Sequence, residues 1–101
     1  MTDLEYVASH LSEEELLCQI AEEASELAQA ALKLRRAITQ HNPTPTSPET
    51  AFNGLYEEWG DLLNAINVYF TKLNIIPIGG NMDKLERWAN RLKEKENENH
   101  E

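Results

Sequence analysis

Apolar residues recur every three or four positions along most of this chain, the spacing of amphipathic helices rather than the alternation of strands. Thr2 with Glu5 three residues on forms a capping-box pattern that predicts a short first helix ending near His10. Ser12 with Glu15 repeats the pattern and opens a longer helix to about Gln40, with Leu16, Ile20, Leu27, Ala31, Leu34 and Ile38 on its apolar face. The stretch His41 to Ser47 contains Pro43 and Pro45 and must be a loop, because prolines and the residues before them resist helical geometry. Ser47 then caps a third helix with Pro48 in its first turn. Phe52, Leu55, Trp59, Leu62, Leu63, Ile66, Phe70 and Leu73 form its stripe, expected to be buried. The pattern breaks over Ile75 to Gly80, and Asn81 caps a final helix from about Met82. From about Lys95 onward the tail is too polar to pack and is expected to fray.

These elements predict an all-α fold, an antiparallel helical bundle of four helices with one of them short. Residues 1–94 make a single domain and 95–101 a polar tail. At 101 residues one core is adequate but modest. Leu17 and Leu32 put apolar surface on a second side of the long hairpin, so completion by homo-oligomerisation, as a dimer or tetramer, is expected.

Charge narrows the function classes. Eighteen acidic against nine basic residues give a net charge of −9, which argues against nucleic-acid or anionic-membrane binding. An anionic small molecule stays open, because bound cations reverse the local field. Cys18 is the only cysteine, which excludes an intrachain disulfide or a thiolate cluster. With no signal-peptide pattern at the N-terminus and no apolar run of membrane-spanning length, a soluble cytoplasmic protein is expected.

The acidic residues are unevenly placed. Glu22-Glu23-x-x-Glu26 lies in the second helix and Glu58-x-x-Asp61 in the third, and a three-residue spacing projects each pair from roughly one face. Glu26 stands about 21 Å before its helix end, and Glu58 about 15 Å after its helix start, at roughly 1.5 Å per residue. In an antiparallel hairpin the clusters therefore come level within about a turn. Glu23 falls within about 60° of the centre of its apolar stripe at about 100° per residue, and Glu58 borders the other stripe. Burying such groups demands a cation, a basic partner or protonation. Solvated surface glutamates explain one Glu-x-x-Glu pair well, but two level and inward-biased pairs poorly. Oxygen donors of this kind suit a hard divalent cation.

Other features carry less. Gly60 interrupts the acidic cluster at a helix-propensity cost of about 1 kcal/mol, which close approach by a helix or ligand would justify. In the last helix Lys84, Arg87 and Arg91 form a cationic strip beside the apolar strip Leu85, Trp88 and Leu92, matched either to phosphate or simply to solvent. Trp59 and Trp88 fall in apolar stripes and read as core rather than base-stacking residues. None of the histidines His10, His41 and His100 stands three residues after a glutamate, which counts against a di-iron carboxylate bundle.

Glu22-Glu23-x-x-Glu26 followed by Glu58-x-x-Asp61, with their helical surroundings, resembles the signature of the MazG-like all-α nucleoside triphosphate pyrophosphatase superfamily, and Lys84-x-x-Arg87 resembles its downstream basic stretch. The resemblance covers roughly residues 13 to 92. It implies a hydrolase that cleaves a nucleoside triphosphate to monophosphate and pyrophosphate with Mg²⁺, or Mn²⁺ as a substitute. Glu23, Glu26, Glu58 and Asp61 would be metal ligands, Glu22 an additional ligand or a group orienting water, and Lys84 and Arg87 phosphate contacts. Asn64, one turn after Asp61, is placed to meet the sugar or a water. Two other classes compete: a noncatalytic acidic adaptor for a basic partner, and a nucleotide sensor on an inactive pyrophosphatase fold.

Overall fold

A computed structural model of the chain describes residues 1–76 and 80–100. Four helices account for them, with no strand among the described residues: α1 Asp3–His10, α2 Glu13–Thr39, α3 Pro48–Lys72 and α4 Met82–His100. Each begins where a side chain can satisfy an otherwise orphaned backbone N–H. Thr2 Oγ1 accepts from Glu5 N at 3.1 Å, Ser12 Oγ from Glu15 N at 3.1 Å, Ser47 Oγ from Thr50 N at 3.2 Å, and Asn81 Oδ1 from Lys84 N at 3.0 Å. All four predicted caps are therefore in use.

The helix ends follow from backbone chemistry too. Gln40 closes α2 in the left-handed region at φ 55°, donating its N–H to Arg36 O at 2.9 Å. Asn74 does the same after α3 at φ 58°, and the N–H groups of Asn74 and Ile75 return to Thr71 O and Phe70 O in a Schellman arrangement. Ile75, Ile76 and Gly80 are non-helical as the broken pattern predicts, while Pro77, Ile78 and Gly79 lie outside the described residues, as does Glu101.

The core is thin. Helix α2 runs antiparallel to α3, and the Tyr69 hydroxyl near the end of α3 donates to Glu13 Oε1 at the start of α2, 2.8 Å away. Small residues at the loop end, Ala37 and Ala51, are buried and let the two backbones approach, with Leu62 and Ala65 buried further along α3. Helix α1 packs on α3, where Ala8, Leu16 and Val68 form a buried cluster flanked by Leu11 and Tyr69. Lys72 Nζ also donates to Ala8 O at 3.1 Å, satisfying one of the free carbonyls at the end of α1.

Helix α4 departs from the bundle expected of one chain: it packs against none of the other helices. Its strip Leu85, Trp88 and Leu92 is exposed. The two tryptophans read as core are half in solvent, Trp59 at 51 % and Trp88 at 57 % exposure, and Phe52 and Leu73 of the α3 stripe are exposed as well. The reason is geometric. The described residues measure 21 Å in their thinnest dimension, about two helix diameters, and their helices meet only as α2 with α3 and α1 with α3, so they form no further layer over the outer face of the α2–α3 hairpin. The helix itself reaches His100, past the point where its polarity predicts fraying. Lys and Glu are good helix formers, and Arg91/Glu94, Lys93/Glu96 and Lys95/Glu98 are spaced for favourable pairing.

Gly60 has no packing reason for being glycine, since a methyl group there would meet no atom within 4 Å. Two stability effects follow, both readable by urea denaturation. Leu16, 2 % exposed, should lose about 2–5 kcal/mol on substitution by alanine. Gly60→Ala should gain about 0.5–1 kcal/mol through helix propensity, and a loss would mean that another molecule approaches this face closely.

Candidate metal centre

Helix periodicity places Glu23 and Glu26 on successive turns of α2, and the hairpin register sets Glu58 of α3 opposite them. One carboxylate oxygen from each lies within 4.8 Å of the other two. Glu23 and Glu58 are half-buried and Glu26 is exposed, so the cluster opens to solvent on one side. Gln19, one turn before Glu23, donates from Nε2 to Glu23 Oε1 at 2.8 Å. The second oxygens, Glu23 Oε2 and Glu58 Oε2, are enclosed and have no hydrogen-bond partner. Leaving such a group unmatched is unfavourable, and more so if it is charged.

The electrostatics run in the same direction. Glu23 titrates above the usual carboxylate range, first because burial penalises its charged form, then because the Glu26 and Asp61 charges repel it. Contact with the Glu26 side chain adds to the rise, and the Gln19 hydrogen bond opposes it. Asp61 itself is exposed and outside the three-carboxylate cluster, yet near enough for its charge to act on Glu23.

The donor set fits a hard divalent cation. Every donor is a carboxylate oxygen, with no histidine or thiol in the group. Oxygens sharing one ion at about 2.0–2.6 Å can lie no more than about 5 Å apart, and the observed spacing meets that limit. The enclosed, unpartnered oxygens are what such an ion would satisfy.

The remaining candidates are dispersed. Glu22 and Asn64 are exposed on α2 and α3. Lys84 and Arg87 are exposed on α4, which packs against neither α2 nor α3, and neither lines the space beside the carboxylates. That space is a groove of about 600 Å³ between α2 and α3, running from Glu26 and Glu58 toward the connecting loop. Lys33, Arg36, Thr46 and Thr50 line its far part. The sequence reading placed neither Lys33 nor Gln19 at the site. Both carried a signal: Lys33 is two turns after Glu26 and Gln19 one turn before Glu23, each on nearly the same helix face.

The chain matches no protein-family model, no curated protein and no solved structure.

The raised pKa of Glu23 sets a pH dependence in metal-free protein. The folded state holds this proton more tightly than the unfolded chain, whose carboxyl titrates near 4.5. The resulting stability is complete below that value and is lost as pH rises through the folded pKa. Glu23→Gln cannot ionise, so in EDTA its Tm should gain on the wild type between pH 4.5 and 7. A constant difference across that range would show that Glu23 titrates normally.

Proposed function

We propose that this chain is a Mg²⁺-dependent nucleoside triphosphate pyrophosphohydrolase of MazG-like type, acting on an NTP or dNTP. The observation that carries the reading is the convergence of Glu23, Glu26 and Glu58 within 4.8 Å, with two enclosed oxygens left unpartnered. A solvated acidic face, or an adaptor for a basic partner, gives no reason to enclose them.

Glu23, Glu26 and Glu58 are the metal ligands, with Asp61 completing the set from the turn after Glu58. Divalent ions bound there supply Lewis acidity to phosphate oxygens and bring the pKa of water toward neutrality. Glu22 orients the attacking water. The water oxygen forms a bond to the α-phosphorus and its proton passes to solvent, while the bond from that phosphorus to the bridging oxygen breaks and the electron pair departs with pyrophosphate. Asn64 is assigned to the sugar or an ordered water. Lys84 and Arg87 are assigned to substrate phosphates, a role that requires α4 of the same chain or of a second copy to reach the groove.

A homo-oligomer belongs to this reading. Leu27, Phe52, Leu55, Tyr56 and Trp59 line an apolar groove left open by the described residues, and a second copy would remove that surface from water. No helix among the described residues is long and apolar enough to cross a membrane, which is compatible with a cytoplasmic enzyme working on the nucleotide pool.

A panel of nucleoside triphosphates assayed with Mg²⁺ or Mn²⁺ should release pyrophosphate, and Glu23→Gln or Asp61→Asn should lower turnover at least a hundredfold with helical circular dichroism intact. Unchanged turnover in either variant removes that residue from the ligand set. Mg²⁺ should raise the melting temperature progressively with concentration, the added stability reaching about 2.7 kcal/mol at a hundredfold excess over Kd. An adaptor would show no such rise. Sedimentation at micromolar concentration should show a dimer or tetramer, and a monomer would refute the assembly.

A further inference from the structure

We propose that the groove between the carboxylates and the α2–α3 loop is an anion subsite in which Lys33 and Arg36 hold the pyrophosphate portion of the substrate. This rests on the hydrolase reading and extends it by giving the phosphate chain a direction. The groove is bounded at one end by Glu26 and Glu58, while Lys33, Arg36, Thr46 and Thr50 line its course toward the loop. Charge therefore reverses along one continuous space. In a chain with a net charge of −9, two cations on one groove wall are a marked local excess.

Helix geometry sets the span. Lys33 and Arg36 follow Glu26 by about 10 and 15 Å along α2, at about 1.5 Å per residue, and both have long flexible stems that can reach back toward the carboxylates. A phosphate chain whose reacting phosphorus sits at the acidic end would lay its terminal phosphates in this interval. Guanidinium and ammonium donors, with threonine hydroxyls beside them, are phosphate chemistry. A base is poorly matched, because no aromatic side chain lines this groove; Phe52, Tyr56 and Trp59 line a separate apolar one. Lys33 and Arg36 thus supply within one chain the phosphate contacts for which α4 is not in position.

The test is isothermal titration of the full chain, first with Mg²⁺ alone and then with inorganic pyrophosphate in saturating Mg²⁺. Lys33→Gln/Arg36→Gln keeps good helix formers at two exposed positions, so the fold and the Mg²⁺ isotherm should be unchanged. The pyrophosphate Kd should rise at least tenfold. Arg35→Gln, which removes an exposed charge from α2 outside this groove, should change Kd less than twofold. An equal pyrophosphate Kd in wild type and double variant, or an equal loss in Arg35→Gln, overturns the subsite while leaving the metal centre standing. Absence of a saturable Mg²⁺ isotherm in the wild type instead overturns the hydrolase reading, and the subsite with it.

Discussion

Mutual repulsion among carboxylates at the α2–α3 seam is the constraint around which this molecule is arranged. Glu23, Glu26 and Glu58 converge on one small volume, and two of their oxygens are enclosed without a donor. Water would solvate such groups on an open face, but enclosure removes that compensation. The upward displacement of the Glu23 pKa expresses the same strain as a proton affinity. The proposed divalent cation would resolve it while keeping the groups charged. The scaffold holds the carboxylates in place by ordinary means: hairpin register, a Gln19 hydrogen bond and small residues that let two helices approach.

Around that seam the single chain is incompletely covered. Several large apolar residues of the long amphipathic helices face outward, and the buried set consists largely of alanines with Leu16, Leu62 and Val68. Helix α4 has an exposed apolar strip that packs on none of the other described helices. A protein this small buries only a modest fraction of its surface when folded alone, so the uncovered stripes and the proposed assembly are aspects of one shortage of core.

The groove beside the carboxylates gives the site polarity. Anionic oxygens occupy one end and cationic side chains the course toward the loop, an arrangement suited to a ligand that is itself extended, anionic and metal-associated. The acidic net charge is thus no obstacle to an anionic substrate. Long-range repulsion between exposed charges is screened over about 8–10 Å at ordinary ionic strength, whereas direct contacts of a few ångströms act within that length.

Helix identity and helix limits were legible in the residues alone. Thr2, Ser12, Ser47 and Asn81 each announce a start because capping is a local interaction, settled within three residues. The level meeting of Glu23, Glu26 and Glu58 was also legible, because helix rise and loop length are enough to set a hairpin register. Burial was not. Trp59, Trp88 and Phe52 lie in proper stripes yet remain exposed, since a stripe records which face seeks cover and not whether one chain supplies it. Gly60 suggested close approach by a helix or ligand, and no other helix of the described residues comes near it, while Lys33 proved to line a groove that exists only once two helices and their loop enclose it. Local hydrogen bonding and periodicity are encoded along the chain, whereas cavities and solvent exposure arise between segments distant in it, and only the tertiary structure decides them.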